Sequence, residues 1–331
     1  MLSIPTSTFY LFMVMPALWM GCISMGLVNG IVGSTQVFLA INVGVSRQTI
    51  NFIWASGAVG SIIAAIFTSH VFKKFILNNR FKLCFLSLNV FASGCCIVSL
   101  PWINNFILLL FTYFCAAFTI GNFNTAGHSL MVFMLGPVRS RPLLQLLDAF
   151  VACGFVLGSV LLTPFLPNTS SHTCSDLPSL GIRDDEEARL MWPFLIVGIS
   201  HAAAALSMLL HACGGLTMPV YCQDKEQVTD TMDTNKFHIN HYRIVMVLAF
   251  VFYIFSCGME ALFQSQCYTV GHCGPLKLIP SVASELQTSY FLCFMVGRFC
   301  AVVISKYVQP SVIIMVSVIV TLLGIILILS V

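Results

Sequence analysis

Nine stretches of this chain are long and apolar enough to cross a lipid bilayer as helices. A spanning helix needs about 20 mainly apolar residues. Such runs fall at roughly 9–41, 51–72, 82–100, 104–134, 143–167, 190–213, 242–266, 283–305 and 311–331. Within lipid every backbone N–H and C=O must be satisfied inside the segment, so runs of this length have to be α-helical. The first and fourth exceed what a crossing requires, and tilt or a helical extension is expected there. Breaks are marked by Asn78-Asn79-Arg80, Pro101, Gly136-Pro137 and the polar stretches 168–189 and 214–241. The expected fold is an all-α membrane protein with about nine transmembrane helices.

Composition agrees. Charged residues make up 8% of the 331 and hydrophobic ones 58%, whereas a soluble domain carries about 25% charged. Lipid must therefore be the solvent, and the expected partners are the bilayer and a small solute. The formal charge of +3 is too small and too dispersed for a nucleic-acid partner. Fourteen cysteines suggest a disulfide scaffold until they are placed. Cys84, Cys95, Cys96, Cys115, Cys153, Cys257, Cys293 and Cys300 fall inside apolar runs, where a reduced, packed thiol is ordinary. Only Cys174, Cys267 and Cys273 lie in or beside segments expected outside the cell, where oxidation is possible. No CxxC pair suggests structural zinc. No Lys or Arg precedes Arg47, so the first run lacks the basic start of a signal peptide and is expected to be a retained helix.

Lys and Arg placement sets orientation. With a cytoplasmic N-terminus the inside carries Lys73, Lys74, Arg80, Lys82, Arg139, Arg141, Lys225, Lys236, Arg243, Arg298 and Lys306. The outside carries Arg47, Arg183, Arg189 and Lys277, a bias of eleven to four. The acidic run Asp184-Asp185-Glu186-Glu187 then lies outside, as does the sequon Asn168-Thr169-Ser170, a candidate glycosylation site. A multi-pass protein, of the plasma membrane, is expected.

The stretch 214–241 divides the chain into an N-terminal six-helix bundle, 1–213, and a three-helix part, 242–331. A six-plus-six transporter would place its cytoplasmic linker there. On that plan three helices are absent and the second half is incomplete.

Ionisable side chains near the bilayer centre are costly and mark functional sites by default. Among the acids only Asp148 and Glu260 fall well inside expected spans, Glu285 standing at the very start of the eighth. Glu260 has Gln264 one turn on, on the same helix face, and is the first candidate for binding solute or a coupling ion. The competing role is a neutral acid hydrogen-bonded in a helix contact. Asp148 lies near the cytoplasmic start of the fifth span, close in sequence to Arg139 and Arg141, so an ion pair at the membrane edge competes with a coupling role. On the fourth run Asn124 and His128 share a face; on the first, Asn29 and Gln36 are intramembrane amides. Gly26-x-x-x-Gly30 suits close helix approach. Asn and Gln offer donors and acceptors together, which suits a hydroxylated solute such as a sugar. His201, His211, His238 and His241 show no metal spacing. No nucleophile elbow, P-loop or paired-histidine box is present, so an enzyme is not expected. No cofactor is expected beyond a sodium ion or a proton as coupling ion. A seven-helix receptor fits poorly, because nine spans are present.

Three stretches carry a family resemblance. They are Gly33-Ser34-Thr35-Gln36-Val37-Phe38-Leu39-Ala40-Ile41-Asn42-Val43 in the first run, Gly258-Met259-Glu260 in the seventh, and Thr288-Ser289-Tyr290-Phe291 followed by Gly297-Arg298 in the eighth. In order and spacing they resemble the major facilitator superfamily, in its sodium-dependent glucose transporter and major facilitator superfamily domain-containing protein 4 branch. That resemblance implies a major-facilitator-type bundle, a hexose-class solute such as glucose, and alternating access around a midplane site, with Gly297 and Arg298 bearing on bundle closure. Departures stand at Asn124-Thr125-Ala126, where the branch has Asp-Thr-Gly, at Phe38 in place of an acid, at Ser56-Gly57 in place of Gly-Arg, and at Asp148 in place of a His. Two carboxylates fewer leaves fewer hard oxygen ligands for sodium. The alternative expectation is a truncated, transport-incompetent membrane protein serving as a binding or accessory subunit.

Overall fold

The apolar runs become helices, and each ends where side-chain chemistry interrupts it. The computed structural model describes residues 6–74, 79–166, 184–214, 235–274 and 277–330. Its helices are α1 (Thr6–Asn42), α2 (Arg47–Ile50), α3 (Phe52–Lys74), α4 (Asn79–Ser99), α5 (Phe106–Leu162), α6 (Asp184–Cys213), α7 (Asn235–Cys273), α8 (Pro280–Tyr307) and α9 (Pro310–Ser330). No strand occurs among the described residues. Eight stretches are long and apolar enough to cross a membrane. The ninth expected run is α9, 21 residues long.

The α5 helix holds two of the eight crossings, Phe106–Gly136 and Arg139–Phe165. They join at Gly136, whose φ of 73° and ψ of 169° lie in a region that is essentially glycine-only. At the other end Asn105 caps α5, its side-chain oxygen accepting from the N–H groups of Ile107 and Leu108. Pro101 sits in a 3₁₀ turn that closes α4. Alternate helices therefore run up and down between a Pro101 end and a Gly136 end.

At the centre is α1. Of its most apolar 18 residues 72% are buried, against 6% for the corresponding stretch of α8 and 0% for that of α7. It packs against α5 and α6; α3 and α4 also pack on α5, and α4 packs on α6. The helices α3, α4 and α6 thus gather around α1 and α5. The apolar core has two layers. One, at the Pro101 end, includes Ile31, Ile50, Leu100, Phe194 and Tyr268. The other, at the Gly136 end, includes Leu18, Leu83, Phe123, Met131 and Met208. Of the remaining helices, α7 and α8 lie on α1 and the second limb of α5. Residues 215–234 of the expected linker, and the sequon residue Asn168, lie outside the described residues. The α7 helix begins at Asn235, inside the stretch expected to be linker.

Backbone meets backbone between α1 and the second limb of α5. A Cβ on Gly26 would lie 2.1 Å from the Val151 carbonyl oxygen, and one on Gly154 would lie 2.2 Å from that of Ile23. One turn on, Gly30 and Gly158 repeat the arrangement, with 2.6 Å to the Phe155 oxygen and 2.7 Å to that of Leu27. Two small-xxx-small motifs face each other, so the backbones meet directly. No side chain fits between them.

Candidate functional site

A chain of polar contacts crosses the bundle on four helical segments. His128, on the first limb of α5, places Nε2 3.3 Å from Asp148 Oδ1 on the second limb. Asp148 Oδ2 lies 3.4 Å from Arg298 Nη1 on α8, and Arg298 Nη2 lies 3.4 Å from Glu260 Oε2 on α7. Gln264 Nε2 donates to Glu260 Oε1 at 3.0 Å. At the far end His128 Nδ1 is 2.8 Å from the Asn124 carbonyl oxygen. The four charged side chains are each about one-third exposed, between 30% and 35%. They are neither sealed in a dry contact nor fully open.

Position follows from helix register. Asp148 lies nine residues beyond Arg139, and His128 eight before Gly136, which at 1.5 Å per residue is about 12–14 Å along the axis. A hydrocarbon core is about 30 Å thick, so the chain of contacts sits near its middle. There a lone charge is expensive, and pairing is the way to keep it. Asp148 was expected beside Arg139 and Arg141, but its basic partner is Arg298, which comes from the other part of the molecule. The Arg298 guanidinium also lies 4.9 Å from the Phe294 ring centroid, which fixes its plane. Gly297 has open space where a Cβ would go.

His128 thus bridges two groups, one through each ring nitrogen: the Asn124 carbonyl at Nδ1 and the Asp148 carboxyl group at Nε2.

Next to this chain lies a cavity of about 250 Å³. Its lining includes Asn29 of α1, Trp54 and Ser61 of α3, Tyr113 of α5 and Gln264 of α7. The Asn29 amide makes no hydrogen bond among the described residues. Gln36 stands behind the cavity wall: its Oε1 accepts from Trp54 Nε1 at 3.1 Å, and its Nε2 donates to Asn51 Oδ1 at 2.6 Å. Both ends of the Gln36 amide are thus occupied, and it acts by holding the Trp54 ring. Tyr113 packs edge-on against that ring, with centroids 5.8 Å apart. Asn124 and His128 line a separate void of about 10 Å³ with Cys22 and Phe123, just enough for one water.

Of the sequence-derived site residues, His128, Asp148, Glu260, Gln264 and Arg298 come together, with Asn124 contributing its carbonyl; Asn29 joins through the cavity. Sequence reasoning missed Trp54, Ser61 and Tyr113. Aromatic and hydroxyl residues are common along the spans, and nothing in their spacing marks these three.

A second polar seam lies toward the Pro101 end. Ser159 of α5 and Thr288 of α8 are 2.7 Å apart, Thr163 and Ser284 are 3.0 Å apart, and Ser34 of α1 donates to Gln287 Oε1. Gln266 of α7 donates to Asn51 at 3.1 Å. Ser284 and Gln287 are fully buried.

No family model matches the chain. Among curated proteins it is 24% identical over 311 residues to the sodium-dependent glucose transporter 1 of Homo sapiens. To the sodium-dependent glucose transporter 1A of Mus musculus it is 22% identical over 315 residues. Each alignment takes in 89% of this chain, but 57% of the human protein and 69% of the mouse one. The chain therefore spans little more than half the length of the human relative. The likeness is distant, runs along most of this chain, and is to transporters.

Proposed function

We propose that this chain carries a small polar solute of the hexose class across a membrane by alternating access. One observation supports the reading above others: Gln264 both lines the cavity and hydrogen-bonds Glu260. A solute in the cavity would sit one contact away from the chain that ties α7 and α8 to α5. Filling or emptying the cavity could then shift that chain, which is what coupling binding to helix movement requires.

The lining suits a sugar. Asn29 and Gln264 offer amide donors and acceptors for hydroxyl groups, while Trp54 and Tyr113 present aromatic surface to its C–H face. The names of the two relatives point the same way. The protein is a carrier rather than an enzyme, multi-pass in the plasma membrane, with the N-terminus and the Gly136 end in the cytoplasm. The eleven-to-four charge bias supports this orientation, and so does Cys273 at the Pro101 end of α7, which is disulfide-bonded, as an oxidising exterior allows. Glycosylation at Asn168 is part of the same reading.

The test is uptake of labelled glucose, fructose, mannose and fucose into proteoliposomes containing the purified chain. Saturable uptake above empty vesicles, reduced by Asn29→Ala and Gln264→Ala, is the expected result. Uptake equal to empty vesicles for every hexose removes the sugar reading and favours an accessory membrane subunit.

A further inference from the structure

We infer that Arg298 is a built-in cation that stands where a transported one would, and that this chain moves its solute without sodium. The inference rests on the transport reading for its word "moves", but its physical content concerns which groups already occupy the two carboxylates. Asp148 Oδ2 and Glu260 Oε2 each lie 3.4 Å from a different terminal nitrogen of one guanidinium. The carboxylates thus face the same cation from opposite sides.

Guanidinium cannot give up its proton in a protein. It is a permanent positive charge on a side chain anchored to α8, and its plane is set by Phe294. A sodium ion entering the group would have to share both carboxylates with a fixed positive charge that already touches each of them, near the middle of the bilayer where charge is least tolerated. It would also have to displace nitrogen donors, because the free carboxylate edges are taken: Glu260 Oε1 by Gln264 and Asp148 Oδ1 by His128. Among the described residues no group of three or more His, Cys, Asp or Glu side chains converges as a metal site.

The same geometry states what removing the guanidinium does. In Arg298→Gln the two carboxylates keep their places, lose a positive charge, and gain room for a small cation between them. That variant acquires a sodium site, while Arg298→Lys, which keeps the charge, does not.

Thermal unfolding of the purified full chain in detergent, with 150 mM sodium or 150 mM choline, reads this out without any uptake. Wild type and Arg298→Lys are expected to unfold at the same temperature in both salts. Arg298→Gln is expected to unfold about 2–4 °C higher in sodium. A sodium-dependent rise in wild type overturns the inference, and so does a folded Arg298→Gln that ignores sodium. If Arg298→Gln does not fold, the wild-type comparison still decides. In proteoliposomes, wild-type hexose uptake is expected to be equal with and without a sodium gradient, and uptake that needs the gradient also overturns the inference. Absence of all uptake defeats the transport reading and leaves the charge argument to the unfolding data.

Discussion

The second limb of α5 has two working faces, and they are built in opposite ways. Toward α1 it presents Gly154 and Gly158, and the backbones touch with no side chain between them. Toward α8 it presents Asp148, Ser159 and Thr163, which meet Arg298, Thr288 and Ser284 through hydrogen bonds and an ion pair. The first face depends on shape and has no second arrangement of similar energy. The second depends on polar contacts that water or other partners can replace. A protein that keeps one bundle rigid while another rocks against it needs both kinds on the same helix. On the proposed transport cycle, the α5–α8 face is the one expected to move.

The sharpest way to break the comparison is at the glycine face. Gly154→Leu forces a branched side chain where even a Cβ would sit 2.2 Å from a carbonyl oxygen. The expected loss is more than about 3 kcal/mol, seen as failure to yield a monodisperse peak in detergent. Gly297→Ala, on α8 with open space around it, is expected to fold normally and to unfold within about 1 °C of wild type. Should Gly154→Leu fold as well as Gly297→Ala, the face is not rigid and the contrast fails.

On the polar face, a cysteine pair at Ser159 and Thr288 tests movement. Their oxygens are 2.7 Å apart, so the two β-carbons lie within reach of a disulfide. Oxidation is expected to cut hexose uptake at least tenfold and reduction to restore it. Cross-linking without effect on uptake would mean that this face stays closed during transport.

A smaller effect is expected from Asp148→Asn. It keeps the shape of the side chain but removes the charge that Arg298 and His128 share. Uptake should fall about fivefold to tenfold while the unfolding temperature drops by a few degrees, because the Arg298–Glu260 pair survives. An uptake rate unchanged by Asp148→Asn would show that the solute does not work through the charged chain.

Much of this was legible in the sequence. The nine runs, the break at Gly136-Pro137 and the turn at Pro101 follow from lipid's demand for satisfied backbone and from the two residues that interrupt helices. Glu260 with Gln264, and Asn124 with His128, were visible because residues four apart share a helix face. Their convergence was not, since it depends on which helices are neighbours, and a single chain carries no record of that. So Asp148 was matched to Arg139 and Arg141, near it along the chain, whereas its partner Arg298 is 150 residues away. Gly26-x-x-x-Gly30 reads as a close-approach motif, but its counterpart Gly154-x-x-x-Gly158, with the same spacing, is what completes the contact. Gln36 looked like a solute ligand because an amide in a membrane span needs an explanation; Trp54 and Asn51, brought in by α3, supply one.

The finest distinction lies between single polar contacts and the whole seam. Ser159→Ala removes one hydroxyl from the α5–α8 face. Thr288 keeps its bond to the Ser284 carbonyl at 2.8 Å, and Thr163 keeps Ser284, so no buried group is orphaned. Hydrogen bonds between membrane helices average about 0.6 kcal/mol, which is close to RT and shifts an open–closed balance about threefold. Ala283 is fully buried at the Pro101 end of α8, so the labelling rate of an Ala283→Cys reporter measures how often that end opens. With Ser159→Ala added, labelling should rise about threefold and the unfolding temperature should stay within about 2 °C. A rise in labelling matched by a large fall in unfolding temperature would mean that the hydroxyl supports the fold itself. The two faces of the limb would then differ in chemistry but not in purpose.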